Sequence, residues 1–536
     1  MPPDLHLNGF ASHRLTHESN LNSYVRIEDK ATDDIAQHDA MFHPPIMSQT
    51  DRDFRFPFFF CIFLLSASFV VWAQTPGTPA TPSVTLPGSE NPFLGSAPEG
   101  KATAEVLQID FKEAIDRGLR NNLGLLLASD QTEQARGQKW KELSDLLPNV
   151  SGRVIEDAQT QSLAALGFNK LFPLLSAPGS STTSLPRLVP AFNFFDARAS
   201  LSQSLLNVQS INRERAANEG LKAARFTYKD AREMVVLAVG NSYLQAIAAA
   251  ARVETAEAQV QSAQALSTKT TDQQKAGVSP AIDALRSQVE LQNRQQQLIV
   301  ARNDLAKQRL SLARIIGLPP GQEFVLTEKA PYQELMPQSL EAYLTRAYAN
   351  RADYQAAQAQ VRSAELAKRA AFAGHYPTVD FNANYGAIGV TPSQSNGTWQ
   401  VTGGVTIPIF AGNRTHGDVL ESDAQLKQAR SKLEDLRGRI DYEVRTAVLD
   451  LTAAADQVAV ARSSVDLAEQ TFTQSQDRFA AGVTDNLEVV QAQEALAAAH
   501  ESYIQSLYAH NLSKVELAYA IGDAEDGVKR FLRGIQ

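Results

Sequence analysis

The stretch AGVSPAIDALRSQVEL begins at Ala276, and AGVTDNLEVVQAQEAL begins at Ala481, 205 residues further on. A repeat this distant is far longer than a solenoid unit, so it reads as duplication of half a protein. Other pairs keep the offset. LKAAR (Leu221–Arg225) returns as LKQAR (Leu426–Arg430), and Leu312, Ala313, Ile316 and Gly317 return as Leu517, Ala518, Ile521 and Gly522. Nearer the start of each half the offset widens to 229, pairing Asn121 with Asn350, Ala135 with Ala364, Lys139 with Lys368 and Val150 with Val379. Whatever one half folds into, the other must build again.

Each half opens with a short predicted helix, a break (near Asn121-Asn122 in the first) and a longer helix stopped by Pro148 or Pro377. After each proline the period switches to two. Val379, Phe381, Ala383 and Tyr385 alternate with Asp380, Asn382 and Asn384, and Trp399, Val401, Gly403, Val405, Ile407 and Ile409 with Gln400, Thr402, Gly404 and Thr406. The first half shows a weaker version: Phe195, Ala197, Ala199, Leu201 and Leu205 against Arg198, Ser200, Ser202 and Ser204. Strands of ~9–11 residues with one apolar and one polar face suit a membrane barrel, with lipid outside and water within. An ordinary half-buried hairpin gives the same alternation. The first loop between strands, about residues 159–190, is 25 residues longer than its counterpart, with Gly-Ser-Ser-Thr-Thr around Ser180, which suggests a surface loop.

Residues 208–275 and 412–480 contain no proline and many Ala, Gln, Ser, Arg and Glu. They predict helices about 100 Å long, a length that a coiled-coil assembly needs and a globular core does not. After each AGV turn a returning helix of about 38 residues runs to Gly317 or Gly522. That helix and the one before the strands together match the long helix, so two shorter helices stacked end to end can lie beside it.

Residues 54–73, FRFPFFFCIFLLSASFVVWA, form an apolar run behind Arg52 and Arg55, shorter than a spanning helix and ending in Val71-Trp72-Ala73. This reads as a signal peptide over 47–73. Residues 1–46 then read as a misassigned or disordered extension, with Met41 or Met47 as the start, and 74–106 as a Pro-rich disordered tether. The first repeat is assigned to 107–330, the second to 331–524 and a tail to 525–536. The sole cysteine, Cys61, lies within the apolar run, so a chain starting near Gln74 has no thiol. A net charge of −9 argues against nucleic acid as a partner.

No catalytic, cofactor or metal site is expected. His375, His416, His500 and His510 have no metal-ligand spacing, and there is no P-loop or nucleophile elbow. The acids Glu421 and Asp423 read as solvated helix-face residues. The AGV turns are the most specific feature. Gly277 and Gly482 permit a positive φ at a helix C-terminus. Ser279 and Thr484 are expected to cap the next helix, with Asp283 and Glu488 in its first turn. A tip at the far end of paired helices is open to a partner.

This order of elements (signal peptide, then twice helix, proline, strand, loop, strand, long helix, Gly turn, helix, LG) resembles the TolC-like outer-membrane efflux protein family from about Leu107 to Gly522. PIFAGNR (Pro408–Arg414) is similar to that family's strand-end pattern, and SLLNVQS (Ser204–Ser210) is its decayed first-half copy. The resemblance implies a mainly α fold with a transmembrane β component. It also implies a homotrimer whose twelve-stranded β-barrel, four strands per chain, sits in outer-membrane lipid above a periplasmic tunnel of coiled-coil helices. Such a chain is the exit duct of a tripartite efflux or type I secretion system, working with a periplasmic adaptor (membrane fusion) protein and an inner-membrane transporter that chooses the substrate. Asp283 and Glu488, with Gln491 one turn on, fall at the family's acidic periplasmic gate. The turns Gly277, Val278, Ser279 and Gly482, Val483, Thr484 fall where the adaptor docks. The best-known members carry tyrosine and arginine where this chain has Phe479 and Thr484, so the resemblance implies the acidic ring but leaves the specific closing salt bridge open. The other reading, a periplasmic coiled-coil adaptor or scaffold, provides one helical hairpin and not two matched ones joined by amphipathic strands.

Overall fold

Asp110 and Ser339 begin the two halves in the same way, each accepting a hydrogen bond from a main-chain N–H of the helix it caps. Helix α1 (Phe111–Asn121) breaks at Asn122 and restarts as α2 (Leu123–Ser144). In the second half, as expected from the 229-residue offset, α5 (Leu340–Asn350) breaks at Arg351 and restarts as α6 (Ala352–Phe372). Both break residues are extended, with ψ near 130° and 120°, which stops the helical hydrogen-bond ladder for one residue.

In this computed structural model the described residues are 91–163, 165, 188–328, 332–335 and 338–532. They belong to the second of two compact units, Val84–Gln536. The readings of an N-terminal extension and a signal peptide lie outside the described residues, as does the middle of the long first loop, 166–187.

The remaining elements are β1 (Leu107–Ile109), β2 (Asn149–Ser162), β3 (Leu188–Leu206), α3 (Val208–Lys275), α4 (Ala281–Ile315), β4 (Phe324–Leu326), β5 (Thr378–Gly389), β6 (Ser395–Thr406), α7 (Arg414–Ala480), α8 (Asn486–Ala520) and α9 (Ala524–Leu532). Strands β1 and β4 form a small parallel pair, and β2-β3-β5-β6 an antiparallel sheet in that order. Below the sheet the helices follow the same order, α2 against α3, α3 against α6, and α6 against α7. The two long helices, of 68 and 67 residues, pair further down with the returning helices α4 and α8.

The core sits at mid-length of the long helices. Val235, Val239 and Tyr243 of α3, Ile440 and Val444 of α7, Leu517 of α8 and Ile521 just after it are almost fully buried around α1, whose Phe111 ring meets Tyr243 edge-on at 5.3 Å. This explains the one helix among the described residues that is long and apolar enough to cross a membrane: 61% of the apolar window of α3 is buried within the protein. The two LG sequences close the core symmetrically. Gly317 (φ +73°) packs on Asn121 beside the first helix break, and Gly522 (φ +70°) on the main chain of Asn350 and Arg351 at the second.

Three sequence expectations need correction. The last part of the 74–106 tether is ordered: residues 92–94 form a 3-10 turn, Phe93 packs against Gly124, and Thr103 donates to Gln322. Most of the 525–536 tail is helix α9, with Val528 and Phe531 fully buried in the core. The strands are longer than ~9–11 residues. Strand β2 continues to Ser162 and β3 starts at Leu188, inside the span assigned to the loop, because the upper ends of these two strands pair with each other beyond the reach of β5. In the other direction β6 stops at Thr406, which leaves Ile407 and Ile409 outside the strand.

Candidate functional site

The strand register decides what the sheet can do. Side chains at paired positions share a face, and between the register shifts at Gln159/Gln161 and Ser204/Leu206 the pairs line up across all four strands. On one face the rows are Val154–Ala197–Ala387–Gly397, Gly152–Ala199–Tyr385–Trp399 and Val150–Leu201–Ala383–Val401. On the other they are Arg153–Arg198–Gly386–Thr398, Ser151–Ser200–Asn384–Gln400 and Asn149–Ser202–Asn382–Thr402. Tyr385, Trp399, Val150, Val154 and Val401 are all more than half exposed. An apolar surface spanning four strands, backed by a polar one, separates lipid from water. The weak alternation of β3 acquires meaning from its neighbours. Leu205 leaves the pattern because the register shifts between Ser204 and Leu206.

The polar side continues into the helices. A cavity of about 620 Å³ beneath the sheet is lined by Gln138 and Glu142 of α2, Arg213 of α3, and Arg414, Asp418 and Glu421 of α7. Helices α2 and α7 lie at opposite edges of the wall, so a cavity touched by both is on its concave side.

At the far end the two AGV turns have the same geometry. Gly277 and Gly482 hold φ of +72° and +71°. The Val278 and Val483 N–H groups reach back to Gln273 O and Arg478 O at 2.9 and 3.0 Å, and Gly277 and Gly482 donate to Gln274 O and Phe479 O. This paired 6→1 and 5→2 closure is what a left-handed glycine after a helix permits. Val278 and Val483 then project at the tip, 76% and 69% exposed.

Ser279 and Thr484 do not cap the following helices. Pro280 and Asp485 hold the cap positions, and Asp485 accepts from the Leu487 N–H at 3.2 Å. The two hydroxyls donate instead to the carboxylates one turn on, Ser279 Oγ to Asp283 at 2.9 Å and Thr484 Oγ1 to Glu488 at 2.5 Å. The geometry favours this because each hydroxyl lies four residues before its acid, at the spacing of one helical turn.

The two acids sit in different surroundings. Asp283 is buried and Glu488 half-buried, with Arg478 Nε 3.4 Å away, while Gln491 is exposed. The burial of Asp283 comes from the second hairpin. Asn486 is fully buried and donates through Nδ2 to the Asp283 carbonyl at 3.0 Å, and Arg286 lies 3.7 Å from Asp283 and 4.0 Å from Asp485. A small apolar cluster of Leu266, Phe479 and Val489 backs this junction, with Lys269 Nζ 5.4 Å above the Phe479 ring. Sequence reasoning missed Arg286, Asp485 and Asn486. Asp485-Asn486 follows Thr484 where the first half has Pro280-Ala281, and that asymmetry was the available signal.

Above the junction Glu290 and Arg294 form a buried ion pair at 2.6 Å, and Gln493 reaches the Gln259 carbonyl at 3.5 Å. Polar layers of this kind in a coiled coil fix register more than they add stability. Among the described residues no group of three His, Cys, Asp or Glu is placed to hold a metal ion.

Comparison with known proteins bears on the same regions. The family model for outer membrane efflux proteins matches residues 157–318 and 343–523. The pyoverdine export outer membrane protein OpmQ of Pseudomonas putida is 23% identical over 481 residues, covering 86% of this chain and 96% of its own length. The CmeC outer membrane channel of Campylobacter jejuni superposes with a TM-score of 0.64 at 17% identity, over 83% of this chain and 96% of that one. The outer membrane protein VceC of Vibrio cholerae gives 0.63 at 17% identity, over 77% and 96%.

Proposed function

The chain belongs to the outer membrane efflux protein family, and from that premise we propose that three copies close one barrel in the outer membrane and one helical tunnel beneath it, gated at the AGV tips. The protein is an outer-membrane exit duct and not an enzyme, with its helical part in the periplasm. Channels of this family work with an adaptor and an inner-membrane transporter in tripartite systems.

The observation that carries the trimer is the four-stranded sheet open at both edges. Strands β2 and β6 each pair on one side only. In lipid an unpaired strand edge leaves N–H and C=O groups that cost several kcal/mol each, so a chain with four strands must find neighbours. Three copies give twelve strands, an even number within the range of such barrels. The helices support the same reading. Ile282, Leu285 and Val289 form an exposed seam on α4 at coiled-coil spacing, and Tyr442, Leu449, Val460 and Leu467 another on α7.

The tip is the gate. Asn486 and Arg286 tie the second hairpin to the first, which holds the resting state. Asp283 and Glu488 bring up to six carboxylates per trimer to one aperture. Gln491 lies one turn above, and the exposed turns Gly277, Val278, Ser279 and Gly482, Val483, Thr484 receive the adaptor. Fractionation with crosslinking tests the assembly. A crosslinkable trimer in the outer membrane is the expected result, and a soluble periplasmic monomer overturns it.

A further inference from the structure

We propose that a groove on the convex side of the helical wall, directly below the barrel, binds the phosphate of an anionic phospholipid in the periplasmic leaflet. The inference rests on the outer-membrane orientation given above. Around α6, Ser363, Ala367 and Ala370 face the concave cavity, whereas Lys368, Arg369 and Phe372 face the other way. With Val208 of α3 and Arg430 of α7 the latter line a second cavity, of about 530 Å³.

The two ends of this groove differ in chemistry. Tyr376 lies two residues before β5 and Val208 two residues after β3, so this end meets the bilayer boundary. Here Phe372 and Tyr376 stand edge to face at 6.0 Å, and both are about half exposed to water in the single chain. Aromatic side chains at this level are those that anchor proteins at a lipid interface.

One helical turn deeper, about 5 Å along the axis, come Lys368 and Arg369, with Arg430 opposite. Lys368 and Lys427 share Asp423 at 2.6 and 2.9 Å, and Arg430 pairs with Glu365 at 2.8 Å. Arg369 has no ion-pair partner among the described residues. Of the groove's own lining, Lys368, Arg369 and Arg430 stand against Glu365, with Asp423 paired to Lys368, so three cations meet two carboxylates and positive charge is left next to an apolar slot that points at the membrane. A free anion would use only the deep end. A phospholipid fills both, acyl chain against the aromatic rings and phosphate against Lys368 and Arg369, whose long stems reach toward the interface.

Native mass spectrometry on the full-length trimer, extracted in mild detergent and supplied with phosphatidylglycerol or phosphatidylethanolamine, tests this. Phosphatidylglycerol should be retained several-fold more than phosphatidylethanolamine. Arg369→Gln should reduce that retention about fivefold, and Arg369→Gln with Lys368→Gln further, while Arg213→Gln on the concave side leaves it unchanged. Arg369 is exposed and unpaired, so its variant is expected to fold. Displacement of phosphatidylglycerol by millimolar inorganic phosphate would assign the site to the free anion and overturn the lipid. A trimer that inserts normally but holds both lipids equally would overturn the site and leave the duct reading intact.

Discussion

Four glycines with positive φ end the long and returning helices, and they do two different jobs. Gly277 and Gly482 have no atom within 4 Å of where a Cβ would stand, whereas at Gly522 that Cβ would lie 2.8 Å from the Arg351 nitrogen. Gly277→Ala therefore meets only the left-handed backbone penalty, about 1–2 kcal/mol. Gly522→Ala adds a main-chain clash and should cost clearly more. Thermal melts of the two variants in detergent check the order, and equal losses would contradict it. Asp230 gives a pH-dependent case. Burial pushes its carboxyl from 3.8 up to about 7, aided by Asp353 and Glu233 and opposed by Arg351 and Arg439. Folding therefore favours the protonated acid. Its contribution to stability is complete below the ordinary carboxylate range and is lost as pH rises through about 7. Asp230→Asn should melt a few degrees above the parent protein at pH 8 and close to it at pH 4. A constant difference across that range would exclude the titration of Asp230 as its cause.

The strands make sense only as a set. Taken singly, β3 has serines, arginines and scattered apolar residues that fit many roles. In register with β2, β5 and β6 it supplies the Ala197, Ala199 and Leu201 of a continuous apolar face. That face predicts a strong asymmetry between neighbouring positions on β5 and β6. Val401→Arg places a charge toward lipid and should destabilise the barrel by about 2–4 kcal/mol. Asn382→Arg, on the opposite face, should leave the trimer intact and alter conductance. Gel mobility of the unheated protein with and without urea reads both, and equal tolerance of the two would sink the assignment of faces. The helices follow another rule: the apolar seams on α4 and α7 are exposed in the single chain, as the proposed trimer requires of surfaces that another copy covers.

Assembled, the protein should behave as a tunnel closed at its tips. Asp283 is buried beside Asn486 and flanked by Arg286, so a gate of the kind proposed would have to break those contacts to bring the carboxylate to the aperture. Asn486→Ala with Arg286→Ala should raise the resting conductance in planar bilayers. Replacing Asp283 and Glu488 by Ala should weaken cation selectivity and block by multivalent cations, because a ring of like charges concentrates counter-ions. Unchanged selectivity with lowered thermal stability would reduce both acids to local helix-end roles. The exposed Val278 and Val483 bear on assembly: changing both to Asp should lower export without affecting the trimer.

Local chemistry decided a large part of this protein. Proline, glycine and hydrophobic period depend on neighbours a few residues away, so the two helix breaks, the ends of α3 and α7, both AGV turns and the alternation of β5 and β6 were legible in the chain. The 205-residue repeat also fixed that the halves share one plan. What could not be read was whatever depends on contact between distant segments. The extra length of β2 and β3 arises because they pair beyond β5, and the packing of α9 because Val528 and Phe531 find the core at the waist. Asp283 lost its exposure, and Ser279 and Thr484 their capping roles, through a hairpin junction that joins residues about 200 positions apart. Sequence period specifies which side of an element is apolar, but the partner that side meets is chosen by packing across the fold, and the surroundings of Asp283 and Glu488 depend on that partner.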